Sequence, residues 1–67
     1  MSDFRDWTVI CRTRKQRSSL AGELRRKGWS VADDECFWPS LLVRDMPEVK
    51  LRWFIGQHGR PHYHETY

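Results

Sequence analysis

The stretch from Trp7 to Val31, WTVICRTRKQRSSLAGELRRKGWSV, changes its hydrophobic period twice, and this constrains the chain more than any other feature in it. Trp7, Val9 and Cys11 alternate with Thr8, Ile10 and Arg12; both sets carry an apolar residue, so the segment reads as a strand with two partly covered faces. Thr13 stands three residues before Gln16, the spacing of a capping box, in which the hydroxyl accepts from the third helical amide and the glutamine reaches back. Good helix formers run from about Arg14 to Lys27, with Gly22 the weak interior residue, and Gly28 stands where a left-handed terminator is expected. Leu20, Ala21 and Leu24 form a narrow apolar stripe, so this helix needs a sheet to pack on. A second strand then runs through Val31.

Ala32-Asp33-Asp34-Glu35 ends that strand and reads as a solvated acidic turn rather than a metal site, and three acids are too few to mimic nucleic-acid charge. Phe37-Trp38-Pro39-Ser40-Leu41-Leu42-Val43-Arg44 predicts a third strand from about Ser40, with Pro39 at its beginning or on an edge because proline cannot donate to a ladder. Asp45-Met46-Pro47-Glu48 has turn chemistry. Val49 to Ile55 then shows the clearest alternation in the chain, with Val49, Leu51, Trp53 and Ile55 pointing one way and Lys50, Arg52 and Phe54 the other. Gly56 to Pro61 breaks the pattern, and His62 to Tyr67 is a last short strand or a loose tail. The expected architecture is a single small α+β domain over 1–67, ordered β-α-β-β-β, with one helix packed on one face of a mostly antiparallel sheet. Residues 1–5 and about 58–67 are the parts of the domain that could be loose, the latter unless that last strand forms. The expected core is Trp7, Val9, Leu20, Leu24, Val31, Leu41, Val43, Leu51 and Trp53.

A chain of 67 residues, 39% hydrophobic, buries only about 60% of its unfolded surface, so its core is limited. Four tryptophans and three phenylalanines compensate, since a large aromatic buries roughly 150–250 Å². The net charge of +3 and pI near 9.2 permit a polyanionic partner without demanding one. No apolar run approaches the roughly 18–20 residues that cross a bilayer, and Met1 to Asp6 is polar, so a cytoplasmic protein with no membrane partner is expected. Cys11, in an expected central strand, reads as a small buried hydrophobe rather than a disulfide partner of Cys36.

Two basic surfaces follow from the expected elements. On the helical wheel Arg14 shares an azimuth with Arg25 and Lys15 with Arg26, opposite the leucine stripe. On the sheet, Arg12, Lys50 and Arg52 fall on one side with Ile10 and Phe54. Cations that hold phosphates beside a ring that stacks on bases are what single-stranded nucleic acid requires, although charged helix faces and alternating strands are also ordinary. For a protein partner, the exposed anchors would be Trp38 or Trp53. His58, His62 and His64 have HxxxHxH spacing, but neither the paired CxxC nor the HExxH of zinc sites is present, so no metal and no cofactor are expected. A cysteine nucleophile would lack a third group to order its histidine. The residues therefore predict a protein that is not an enzyme.

Trp7-Thr8-Val9-Ile10-Cys11-Arg12-Thr13, followed by a helix that ends Leu20-Ala21-Gly22-Glu23-Leu24-Arg25-Arg26-Lys27-Gly28, resembles the opening of the N-terminal domain of NusG-type transcription elongation factors. Phe37-Trp38-Pro39-Ser40-Leu41-Leu42-Val43 is similar to that family's F-P-x-Y-L-F-V strand, with an inserted tryptophan and Leu41 where an aromatic is common. The resemblance covers roughly residues 7 to 49. The departures are a nearly absent loop between the second and third strands, a strand reading at Val49 to Ile55 where the family tends to have a helix, and no following KOW domain. The resemblance implies a reduced relative that binds RNA polymerase through an apolar patch.

Three functions are consistent with these residues. The first is a small basic accessory protein, of the kind a phage or mobile element encodes, that binds RNA polymerase or its single-stranded nucleic acid and modulates transcription. The others are an inhibitor that blocks another host or defence protein and a metal-stabilised interaction module. The basic surface favours the first, and the oligomeric state is left open.

Overall fold

A computed structural model describes residues 3–32 and 38–66. The acidic cluster at 33–35, Cys36 and Phe37 lie outside the described residues. The elements in chain order are β1 (Phe4–Ile10), α1 (Arg14–Arg26), β2 (Ser30–Ala32), β3 (Ser40–Pro47), α2 (Glu48–Gly56) and β4 (His62–Glu65).

The first half forms as its local chemistry dictates. Thr13 caps α1, its hydroxyl accepting from the Gln16 amide at 3.0 Å. The Gln16 side chain reaches one residue past the cap, and its Oε1 accepts from the Arg12 amide at 2.7 Å. At the other end Gly28 adopts φ +90°, the Trp29 amide donates to the Leu24 carbonyl at 3.0 Å and the Gly28 amide to that of Arg25 at 3.0 Å. This is a Schellman terminator, and it turns Trp29 back along the helix.

The sheet is antiparallel throughout, in the order β2-β3-β1-β4. Because β3 and β4 both run antiparallel to β1, they run parallel to each other, and a hairpin cannot join them. A crossover is required, as it is between β1 and β2. Helices supply both crossovers, giving β-α-β-β-α-β, two interlocked split β-α-β units in the ferredoxin-like arrangement. The α+β class expected from the sequence holds, but with two helices instead of one.

The strand expected at Val49 to Ile55 is therefore the helix α2. Leu51, Phe54 and Ile55 are spaced i, i+3, i+4, and these three are buried while the rest of the alternating set is not. Pro47 is the N-cap, where its missing amide costs nothing, and Glu48 favours the first turn. Trp53, expected in the core, is 55% exposed, whereas Phe54, expected on an open sheet face, is 4% exposed.

The expected turn at Asp45–Glu48 is also corrected. β3 continues through a bulge, with Trp7 opposite Val43 but Arg5 opposite Met46, so β3 carries one extra residue. Asp45 takes φ +55°, and its amide donates to Asp6 Oδ1 at 2.9 Å. Beside the bulge the buried Trp7 indole donates to the Met46 carbonyl at 2.7 Å. Residues 4 and 5 belong to β1, and of the two readings open for the end of the chain the strand holds, residues 62–65 forming β4, paired along β1 from Ile10↔His62 to Trp7↔Glu65.

One core lies between the sheet and both helices. Trp7, Val9, Cys11, Leu41, Val43 and Met46 meet Leu20, Ala21 and Leu24 of α1 and Leu51, Phe54 and Ile55 of α2. Val31 is only partly buried at its margin. No helix among the described residues is long and apolar enough to cross a membrane.

Candidate functional site: an apolar groove on the second helix

The cationic sheet face expected from Arg12, Lys50, Arg52 and Phe54 does not form. Arg12 follows β1 and donates to the carbonyls of Gly59 and of Arg60, the latter at 3.1 Å, so it holds the turn that leads into β4. Gln16 Nε2 donates to the His58 carbonyl in the same turn. Arg52 lies on α2, where its Nη2 donates to Glu48 Oε2 at 2.9 Å and its Nε to the Tyr63 hydroxyl at 3.0 Å. Tyr63 in turn donates to Glu48 Oε2 at 2.8 Å. The Tyr63 hydrogen bond, with Arg52 behind it, holds the Glu48 carboxyl below its ordinary value although partial burial opposes this. Lys50 is exposed on α2, and Phe54 is in the core.

The face of the sheet away from the helices carries Thr8, Ile10, Ser40 and Leu42 at the centre of its two middle strands, with Arg44 and, at the far end of β1, the half-exposed Phe4 beyond them. The four central residues have no ring on which a base can stack; the rings on this face, Phe4, His62 and His64, stand at its margins.

Arg14, Lys15, Arg25 and Arg26 are exposed along α1 as the wheel requires. The two pairs are eleven residues apart, about 16 Å along the axis, so they form two cationic ends rather than one patch. Arg14 lies over the Trp38 ring at 4.9 Å from its centroid. Trp38, expected to be an exposed anchor, is half-buried and packs against the core. Nearby, Arg17 Nε donates to the Ser40 carbonyl at 2.8 Å.

The three histidines separate. His58 is half-buried with Nε2 3.2 Å from Glu23 Oε1, whereas His62 and His64 are exposed on β4. Among the described residues no three His, Cys, Asp or Glu side chains gather as one metal site.

Of the two anchors expected for a protein partner, Trp53 is the exposed one, and the groove beside it on α2 is what the sequence did not reveal. Val49 and Trp53, spaced i, i+4, form a second apolar line beside the buried one and are 77% and 55% exposed. The Trp53 ring is braced edge-on against Phe54, with centroids 5.1 Å apart and planes at 87°. The Schellman turn brings Trp29 opposite, and Lys27 and Lys50 stand at the rim of a groove of about 480 Å³ lined by these residues. None of its lining residues is acidic. Large exposed aromatics in a shallow groove are the anchors typical of protein interfaces, and the only ionisable groups in the lining are Lys27 and Lys50. The i, i+4 pair after a proline cap was the available signal, and the period-2 reading of the same residues masked it.

No family model matches the chain, and comparison with curated proteins and with solved structures finds no match.

Proposed function

We propose that this chain is a small non-enzymatic accessory protein that modulates transcription by docking on RNA polymerase through the α2 groove. The observation that carries the reading is the exposure of Trp53 and Val49 beside Trp29, an apolar surface that a monomer gains nothing by leaving in water. The choice of polymerase rests on the resemblance to NusG-type domains, and α2 stands where that family tends to have a helix. Docking on protein is favoured over nucleic acid because Arg12, Arg17 and Arg52 are engaged within the chain and the open sheet face has no stacking ring at its centre. Such a role would place the protein in the cytoplasm of its host.

Co-elution with purified RNA polymerase tests this. A complex is expected, and Trp53→Ala should weaken it by about 30-fold, the effect of losing a hot-spot anchor worth about 2 kcal/mol. Absence of a complex at micromolar concentrations overturns the polymerase assignment. A parallel titration of labelled single-stranded RNA should show only weak binding that falls with salt. Tight binding with a slope of several phosphates, each contributing about −0.7, would move the function to nucleic acid.

A further inference from the structure

His62 and His64 are two residues apart on β4, so their side chains leave the same face of the sheet, the face away from both helices, about 6.6 Å apart along the strand. Both are exposed, and β4 is an edge strand. The ladder identifies the backbone groups that face outward. The Thr66 amide donates to the Asp6 carbonyl at 2.9 Å, so the pairs 6/66, 8/64 and 10/62 are the hydrogen-bonded ones. The amides and carbonyls of Tyr63 and Glu65 therefore point away from β1. The Glu65 carbonyl is 3.1 Å from His64 Nδ1, and an N–H on that nitrogen leaves the Nε2 lone pair available as a ligand.

We propose that His62 and His64 are half of a zinc site, completed by the same two residues of a second copy whose β4 pairs antiparallel with this one about Tyr63. In that register the two Tyr63 residues exchange both backbone hydrogen bonds. His62 of each copy stands opposite His64 of the other as a non-hydrogen-bonded pair, about 4.5 Å between Cα atoms, where side chains approach most closely. Four imidazoles thus surround the two-fold axis on one face, the number a tetrahedral zinc takes from a closed site. The alternative register about His64 requires the Glu65 carbonyl to accept from the Tyr63 amide of the other copy, in competition with His64 Nδ1. The register about Tyr63 leaves that carbonyl to its own histidine. One chain supplies only two ligands here, so the ion and the second copy are each incomplete without the other.

Sedimentation or multi-angle light scattering with zinc chloride and with EDTA tests this. The expected result is an 8.1 kDa species in EDTA and twice that mass with zinc, at one ion per two chains and with an unchanged circular-dichroism spectrum. His62→Ala and His64→Ala should each abolish the shift while remaining folded, since both side chains are exposed. His58→Gln should retain it. Zinc bound at one ion per chain without a change in mass, no binding at tenfold excess, or a dimer that persists in EDTA or in His64→Ala each overturns the proposal. The groove on α2 is not involved, so the polymerase docking stands or falls separately.

Discussion

Leu24 shows how much one residue contributes in a domain of this size. It is fully buried between α1 and the sheet, so Leu24→Ala removes its transfer energy and leaves a cavity, a cost of about 2–5 kcal/mol. Domain stabilities are about 5–15 kcal/mol, and a 67-residue chain has little to spare. Urea titration should show a large drop in midpoint; an unchanged midpoint would mean that α1 packs through another face. Glu48 makes a pH-dependent contribution. Its carboxyl titrates below the ordinary 4.5 when folded, so the stability it adds is present above that value and is lost as pH falls through the folded one. Glu48→Gln should therefore lower the melting temperature at pH 7, and the difference from the parent chain should shrink by pH 3. A difference of equal size at both values would show that the bonds from Tyr63 and Arg52 do not depend on the charge.

At the scale of elements, α2 is where two periods compete. Val49, Leu51, Trp53 and Ile55 satisfy period 2, and Leu51, Phe54 and Ile55 satisfy period 3.6. The sequence alone does not rank them. The two readings exchange the fates of Trp53 and Phe54, which gives a direct test by thermal melting. Phe54→Ala should cost about 3–5 kcal/mol, and Trp53→Ala, at a side chain 55% exposed, well under half of that. Equal losses, or a greater loss at Trp53, would restore the strand. The bulge in β3 follows the same logic on a smaller scale. Asp45 and Pro47 look like turn residues, and Asp45 does adopt a positive φ, but pairing with Phe4 and Arg5 carries the strand past it.

At the scale of the whole molecule, most of the cations lie on or next to one helix and the exposed apolar line on the other, and the two meet at Lys27 and Lys50 on the rim of the groove. Seven of the twelve cations lie between Arg12 and Lys27, with Glu23 the only acid in that span, while the exposed tryptophan is on the other helix. The core is contributed by both helices and both central strands, and folding is expected to proceed without a metal. The circular-dichroism spectrum and melting temperature should therefore survive EDTA unchanged. Loss of the folded spectrum on chelation would instead make this a metal-stabilised module.

What the sequence determined by itself was set by interactions within about five residues. Thr13 with Gln16, the stripe of Leu20, Ala21 and Leu24, the left-handed Gly28, and the alternation of β1 and the start of β3 at Ser40 can all be read without knowing what the rest of the chain does, because each is completed by near neighbours. Seven of the nine expected core residues are buried, Leu51 among them on a helix in place of the expected strand. Tertiary structure decided what local chemistry left degenerate. Whether 48–56 is strand or helix depends on β3 and β4 lying on either side of β1, which forces a crossover, and β4 exists because β1 has an open edge for four polar residues to pair with. The candidate site inherits that dependence. Arg12 and Arg52 lie at the surface but are engaged there, Arg12 by the distant carbonyls of Gly59 and Arg60 and Arg52 by Tyr63 as well as by the nearby Glu48, while Trp38 packs against the core; the groove at Trp29 and Trp53 exists only once α2 packs beside the end of α1.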